Sequence, residues 1–324
     1  MTSTAAQQFT GRAARAARAT RRGRRPGRRR ERAWAYLMVA PMTIGLGVFY
    51  LWPIAQTFYY SFTSSGPFGG HTWTGTDNYK ALADDPTVGQ AVVNTLVYTG
   101  IQLVGVPLAI LLAALLNQQN LRGRSVYRVI FFLPAVTMPV AMAMLWRWMY
   151  DGNYGLVNYL LSTVGIQGPH WASDPAYAPY ALAAIGIWMS LGYNMVIFLA
   201  GLQGIPAEYY EAARMDGAGP VRTFLRITVP LLTPSIFFVT VLTLINSLQM
   251  FDLAYMMMST PNAPAGNGNP ALPKVRSIPY LFFQKSFVEH DIGFGAAVAF
   301  VLVGFIVLMT FIQFRLQKKW VHYA

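Results

Sequence analysis

Between residues 204 and 230 the chain reads GIPAEYYEAARMDGAGPVRTFLRITVP. Ala207 to Asp216 is a good helix former. Gly217 follows, suited to the left-handed backbone conformation that ends a helix. Gly219 and Pro220 then open a second helix, with Pro where its missing N–H is no loss. Pro230 marks where the next apolar run begins. The spacing predicts a helix–turn–helix elbow with an exposed turn. Taken alone, Glu211 and Asp216 read as solvated charges beside Arg214.

Two further stretches are polar inside otherwise apolar segments. Gly186, Ser190, Tyr193 and Asn194 share one helical face. Asn246, Ser247, Gln249 and Met250 form a second cluster. Amides and hydroxyls of this kind suit a hydroxyl-bearing solute near a bilayer midplane, and Trp188 offers a ring face for stacking. They serve equally as glue between membrane helices, at about 0.6–2 kcal/mol per contact. Asp252 is the sole acid inside an apolar run, a functional candidate by default. Arg147 sits similarly near the end of another run, and the two are candidates to pair.

Catalytic chemistry finds little support. With no Cys, disulfides, thiolate zinc sites and Cys nucleophiles are excluded. His71, His170, His290 and His322 lack metal-ligand spacing. No stretch resembles a phosphate-binding Gly-x-x-x-x-Gly-Lys-Ser/Thr loop.

The elements that must position these residues follow from composition. Of 324 residues, 54% are hydrophobic and 11% charged, against about 25% charged in a soluble domain. Six apolar runs, 34–61, 91–117, 127–150, 179–203, 231–259 and 293–316, reach the roughly 20 residues that a membrane-crossing helix needs. An all-α integral membrane protein is therefore expected. With both termini cytoplasmic, inner segments hold 20 Lys and Arg against 4 in the outer loops, as the positive-inside rule requires. Without the N-terminal tail the ratio is still 9 to 4.

That tail concentrates the net charge of +13: residues 1–32 hold 11 Arg and one acid, Glu31. A basic arm can bind nucleic acid, but it runs directly into an apolar span and reads better as a cytoplasmic tail on anionic lipid. A cleaved leader fits poorly, since the apolar run is too long for a signal peptide. The domain organisation is thus a tail over 1–33 and a membrane domain over 34–320. The long outer loops carry Asp77, Asp84, Asp85, Asp151, Asp174, Glu289 and Asp291, an acidic surface for an external partner or simply mobile connectors.

The elbow resembles the signature loop of ABC importer permeases: Glu-Ala-Ala, three residues, Gly, nine residues, Ile, then Pro three positions on. Glu211, Ala212, Ala213, Gly217, Ile227 and Pro230 match at that spacing, and Asp216 and Ala218 complete a frequent variant. Trp73-x-Gly75-x-x-Asn78-Tyr79, Asn94-Thr95, Arg122-Gly123, Leu133-Pro134, Gly192 through Gln203 and Phe251-Asp252-Leu253 resemble the carbohydrate branch, over roughly residues 34–320. The likeness is to the first permease of maltose-type, glycerol-3-phosphate-type and multiple-sugar importers, although the maltose version has extra N-terminal spans and a large outer domain that this chain lacks.

The resemblance implies a type I importer permease fold with six transmembrane helices in a bacterial inner or plasma membrane. It implies a second homologous permease, two copies of a cytoplasmic ATPase that binds ATP and Mg, and an extracytoplasmic solute-binding protein. No cofactor is implied in this chain. The loop's short helix would dock into a cleft on the ATPase: Ala212 and Ala213 allow close approach, Glu211 meets a basic group, and Gly217 permits the sharp turn. The two polar stretches approximately match positions lining a sugar path. The competing reading is an ion-coupled secondary transporter, a class that usually places charged relays in the membrane.

Overall fold

Apolar runs in hydrocarbon fold as helices because their backbone must satisfy its polar groups within itself. The structure, a computed structural model, describes residues 27–65, 70–118, 121–260 and 264–321. The Arg-rich stretch 12–25 and His322 lie outside the described residues. The chain divides into two units between Thr57 and Phe58.

In the first unit, helix α1 (Gly27–Leu46) runs through Pro41 into a π turn at Gly47–Leu51, where the Trp52 N–H reaches back to the Gly47 carbonyl. Helix α2 (Trp52–Tyr60) continues across the division. Trp34–Tyr60 is long and apolar enough to cross a membrane.

The second unit begins at Phe58, within the last turn of α2. Strands β1 (Thr63–Ser65) and β2 (His71–Trp73) pair antiparallel, with Thr63 opposite Trp73. Helix α3 (Asp77–Asp84) follows and supplies a clamp. The Asn78 amide donates to the Ser61 and Thr63 carbonyls, both at 2.9 Å, and the Tyr79 hydroxyl donates to Ser61 Oγ. Phe62 stacks on Trp73 with ring centres 5.6 Å apart. The Trp73…Asn78-Tyr79 motif therefore pins the end of the first span.

Helices α4 (Pro86–Leu116) and α8 (Ala178–Gln203) form the central pair. Gly105 lets the Ile187 side chain approach, and buried Gln102 donates across the pair to the Ala183 carbonyl at 2.9 Å. Between them in sequence lie α5 (Arg124–Val136), α6 (Pro139–Met149) and α7 (Leu156–Thr163). After α8 come α9 (Ala207–Met215), α10 (Pro220–Thr223), a π turn at Phe224–Thr228 and α11 (Val229–Leu231). Then follow α12 (Thr233–Leu248), α13 (Asp252–Met258), α14 (Leu272–Val275), α15 (Ile278–Phe283), a π turn at Gln284–Val288 and α16 (Ile292–Trp320). One apolar cluster joins α4, α8 and α12 around Val106, Phe198 and Val239. Another joins α8, α13, α14 and α15 around Leu182, Met258 and Tyr280.

Among the described residues, five helical stretches are long and apolar enough to span a membrane, and α5 with α6 makes a sixth if the bent pair counts as one span. Two of the expected spans are not continuous. The run 127–150 is α5 and α6, bent by 100°. Met138 precedes Pro139 and is driven to extended backbone (φ −58°, ψ 129°), and Thr137 before it is also extended (φ −83°, ψ 143°). The run 231–259 breaks at Gln249–Phe251, where Phe251 adopts φ −133°, ψ −60°. The second span starts earlier than expected, at Pro86, capped by Asp85, and the sixth runs on to Trp320.

Candidate functional site

The broken helix α12–α13 opens a cavity of about 530 Å³ against α4, the α5–α6 bend and α8. Gly186, Ser190, Tyr193 and Asn194 line it from α8; Asn246, Ser247, Gln249 and Met250 line it from the end of α12 and the break. Both polar stretches thus face one space. Tyr193, Asn246 and Gln249 are exposed to it, while Asn194, Ser247 and Met250 are buried in its wall. The Asn194 amide nitrogen is buried with no hydrogen-bond partner among the described residues. Ser190 and Ser247 donate to their own helices, at Ile187 and Leu244. Gly186 is there for space: a Cβ would come within 2.3 Å of Tyr98 Oη and Gln102 Nε2.

Several lining groups escaped the sequence reading. Tyr98 and Gln102 enter from α4, and Thr137 and Pro139 from the bend. Gln102 carried a legible signal, an amide alone in an apolar stretch. Asp252 also lines the cavity. It does not pair with Arg147, whose guanidinium donates to the Ser259 carbonyl. Trp188 is not among the lining residues; its ring packs edge-on against Trp146 at 5.4 Å.

The elbow forms as the local residues dictate. Gly217 has φ +68°. The Ala218 N–H bonds the Ala213 carbonyl at 2.9 Å and the Gly217 N–H bonds the Arg214 carbonyl at 3.1 Å, the paired bonds of a Schellman cap. Pro220 opens α10 in its first turn. Tyr210 Oη and Thr228 Oγ1, 3.3 Å apart, brace α9 against the following π turn. Glu211, Ala212, Asp216 and Gly217 are exposed, Met215 at 89%, and Ala218, Ile227 and Pro230 are half-buried. Ala213 differs from expectation: at 5% exposure it faces the chain's own body, so its small size serves internal packing. A bonded turn with an exposed face suits the transmission of force, and a polar cavity at a helix break suits the passage of a solute.

A helical fold with membrane-length apolar helices, a polar cavity and such an elbow has the architecture of a transport permease. The chain belongs to the family of binding-protein-dependent transport system inner membrane components, matched over residues 105–322. Members are membrane components of transport systems rather than catalysts. The chain is 36% identical to the probable ABC transporter permease protein YesP of Bacillus subtilis (strain 168), over 91% of this chain and 94% of that protein. It is 32% identical to the arabinooligosaccharides transport system permease protein AraP of the same organism, over 89% of each. It is 30% identical to the sn-glycerol-3-phosphate transport system permease protein UgpA of Escherichia coli (strain UTI89 / UPEC), over 91% of this chain and 97% of that protein. The fold is shared with a chain of a bacterial alginate ABC transporter in complex with an alginate pentasaccharide-bound periplasmic protein (TM-score 0.77, 22% identity, 91% of this chain and 98% of that one).

Proposed function

We propose that the chain is the permease subunit of an ABC importer that conducts a sugar or sugar-like solute. The observation that carries this reading is the convergence of Ser190, Tyr193, Asn246 and Gln249 on one cavity at a helix break. Hydroxyl and amide groups pair with solute hydroxyls as both donors and acceptors. The break supplies irregular backbone where a cavity, rather than lipid, receives it. Relatives named for arabinooligosaccharide and glycerol-3-phosphate transport support the solute class.

In this reading both termini are cytoplasmic and the elbow points inward, with Glu211 and Gly217 in the contact with an ATPase. The working particle holds one copy of this chain, one related permease and two ATPase subunits that bind ATP and Mg, with an external binding protein delivering solute. Residues 1–33 are a cytoplasmic tail on anionic lipid, and 34–320 the membrane domain.

The test is purification of the complex from native membrane. All partners should co-purify, and ATP hydrolysis should rise when solute-loaded binding protein is added. A transport-active particle holding this chain alone would refute the proposal. Topology is checked by single introduced thiols: Met215→Cys should react only from the cytoplasmic side and Tyr154→Cys only from outside.

A further inference from the structure

The break in α12–α13 contains no Pro and no Gly, so something outside the helix must stabilise it. The Met250 carbonyl, in the break, accepts the Ser277 hydroxyl at 2.6 Å. Ser277 is fully buried and is the N-cap of α15, its Oγ also accepting the Tyr280 N–H at 3.2 Å. Pro279 has no N–H to place. The remaining donor of that first turn, the Ile278 N–H, bonds Thr95 Oγ1 at 3.0 Å, and Thr95, also buried, donates on to the Ala91 carbonyl. Beside it, the Asn94 amide donates to the Pro273 and Arg276 carbonyls. Buried hydrogen bonds, joined through the Ser277–Ile278 peptide, therefore tie α4 to the start of α15 and the start of α15 to the break. One turn along α4 from Asn94, Tyr98 lines the cavity. The Tyr280 ring packs near Phe251 and Tyr255, so the same loop also grips the first turn of α13.

We infer that Ser277, with Thr95 behind it, is a positioning residue: it holds the Met250 carbonyl in the break and so sets where Gln249 and Asn246 stand in the cavity. The segment 264–283, with α14 and α15, is then a latch between α4 and the solute path. This rests on the reading of that cavity as the path. A buried hydroxyl–carbonyl bond here is a discrete link that forms or parts as a unit, unlike the graded packing around it.

The test uses the purified complete transporter and a hydrophilic maleimide as probe. The chain has no native Cys, so Gln249→Cys is its sole thiol. Combining it with Ser277→Ala should change the labelling rate by about three- to tenfold, the factor that corresponds to one hydrogen bond within a membrane helix bundle. Ser277→Thr keeps the hydroxyl and should restore the rate, and a control thiol at Tyr154→Cys should not respond. Should Ser277→Ala fail to accumulate, Thr95→Val removes the preceding link with the side-chain shape kept, and the same change is expected. Equal rates at Gln249→Cys with and without the hydroxyl would overturn the latch and leave the cavity reading standing. No labelling of Gln249→Cys in any background would overturn the cavity reading and the latch with it.

Discussion

The elbow and the cavity are assembled in opposite ways. The elbow is one contiguous stretch whose turn is closed by its own backbone, Ala218 to Ala213 and Gly217 to Arg214. Its exposed side chains add nothing to its shape. The cavity draws its walls from α4, the α5–α6 bend, α8 and the α12–α13 break, from Tyr98 to Leu253, and the Asn194 amide nitrogen in its wall has no partner among the described residues. On the proposed function, the part that transmits force is made rigid by local bonds, and the part that accepts a passing solute keeps spare hydrogen-bonding capacity and depends on distant segments for its form. The two should therefore fail differently when perturbed.

The largest effect is expected at the turn. Gly217→Val places a β-branched residue at φ +68°, at roughly 1–2 kcal/mol for the backbone alone. No neighbouring atom lies within 4 Å of the added Cβ, so the loss comes from turn geometry and from the partner surface, not from internal crowding. Uptake should vanish while the chain still inserts, and the ATPase should co-purify poorly. Gly217→Asn, which tolerates the left-handed region, should retain much of the uptake. If valine and asparagine behave alike, turn geometry is not what matters.

Next comes the packing beneath the cavity. A Cβ at Gly192 would lie 2.1 Å from the Phe131 carbonyl oxygen, and backbone cannot step aside as a side chain can. Gly192→Ala should cost about 1–3 kcal/mol in stability, read as earlier thermal unfolding of the purified complex. Asn246→Ala and Gln249→Ala should be milder in every respect but one. Each should reduce uptake about three- to tenfold, as expected for one or two lost solute hydrogen bonds, with ATPase co-purification unchanged. Coupling lost along with uptake would erase the distinction between the two regions.

The smallest effect belongs to a third place, the cap of α4. Asp85 Oδ1 accepts from the Thr87 N–H at 2.8 Å and from its hydroxyl at 2.7 Å. Burial pushes the carboxyl's pKa up, but the Thr87 bonds and the Lys285 and Arg276 charges outweigh it and hold the pKa below the usual aspartate value. A depressed pKa contributes stability above the unfolded value and loses it as pH falls through the folded one. Thermal stability should therefore decline on the acid side less steeply in Asp85→Ala than in the parent, with the variant about 0.5–2 kcal/mol less stable at neutral pH. Neither coupling nor solute half-saturation should move.

How much could be read beforehand tracks the same division. The elbow was legible because Gly217, Gly219 and Pro220 determine it locally, and only the inward face of Ala213 required the folded body. Helical periodicity put Gly186, Ser190, Tyr193 and Asn194 on one face, yet nothing in one helix says that Tyr98 and Gln102 meet them across α4. The α5–α6 bend had its signal in Pro134 and Pro139, masked by an apolar run long enough to pass for one span. The α12–α13 break had no local signal at all, since its stabilising hydroxyl belongs to Ser277, 27 residues beyond Met250. Trp188 misled because ring type, without orientation, does not tell a stacking platform from a packing residue.

The 100° angle between α5 and α6 has a mechanical meaning. Helix α5 packs on α8, the helix that leads into the elbow, and α6 packs on α13, beyond the break. A straight rod between them would pass an axial push onward along its own line. A right-angled crank does not: displacement along α5 emerges at α6 as movement nearly crosswise to that helix. Thr137 and Pro139 stand at the corner of the crank and in the cavity wall, so the corner and the cavity wall are the same place.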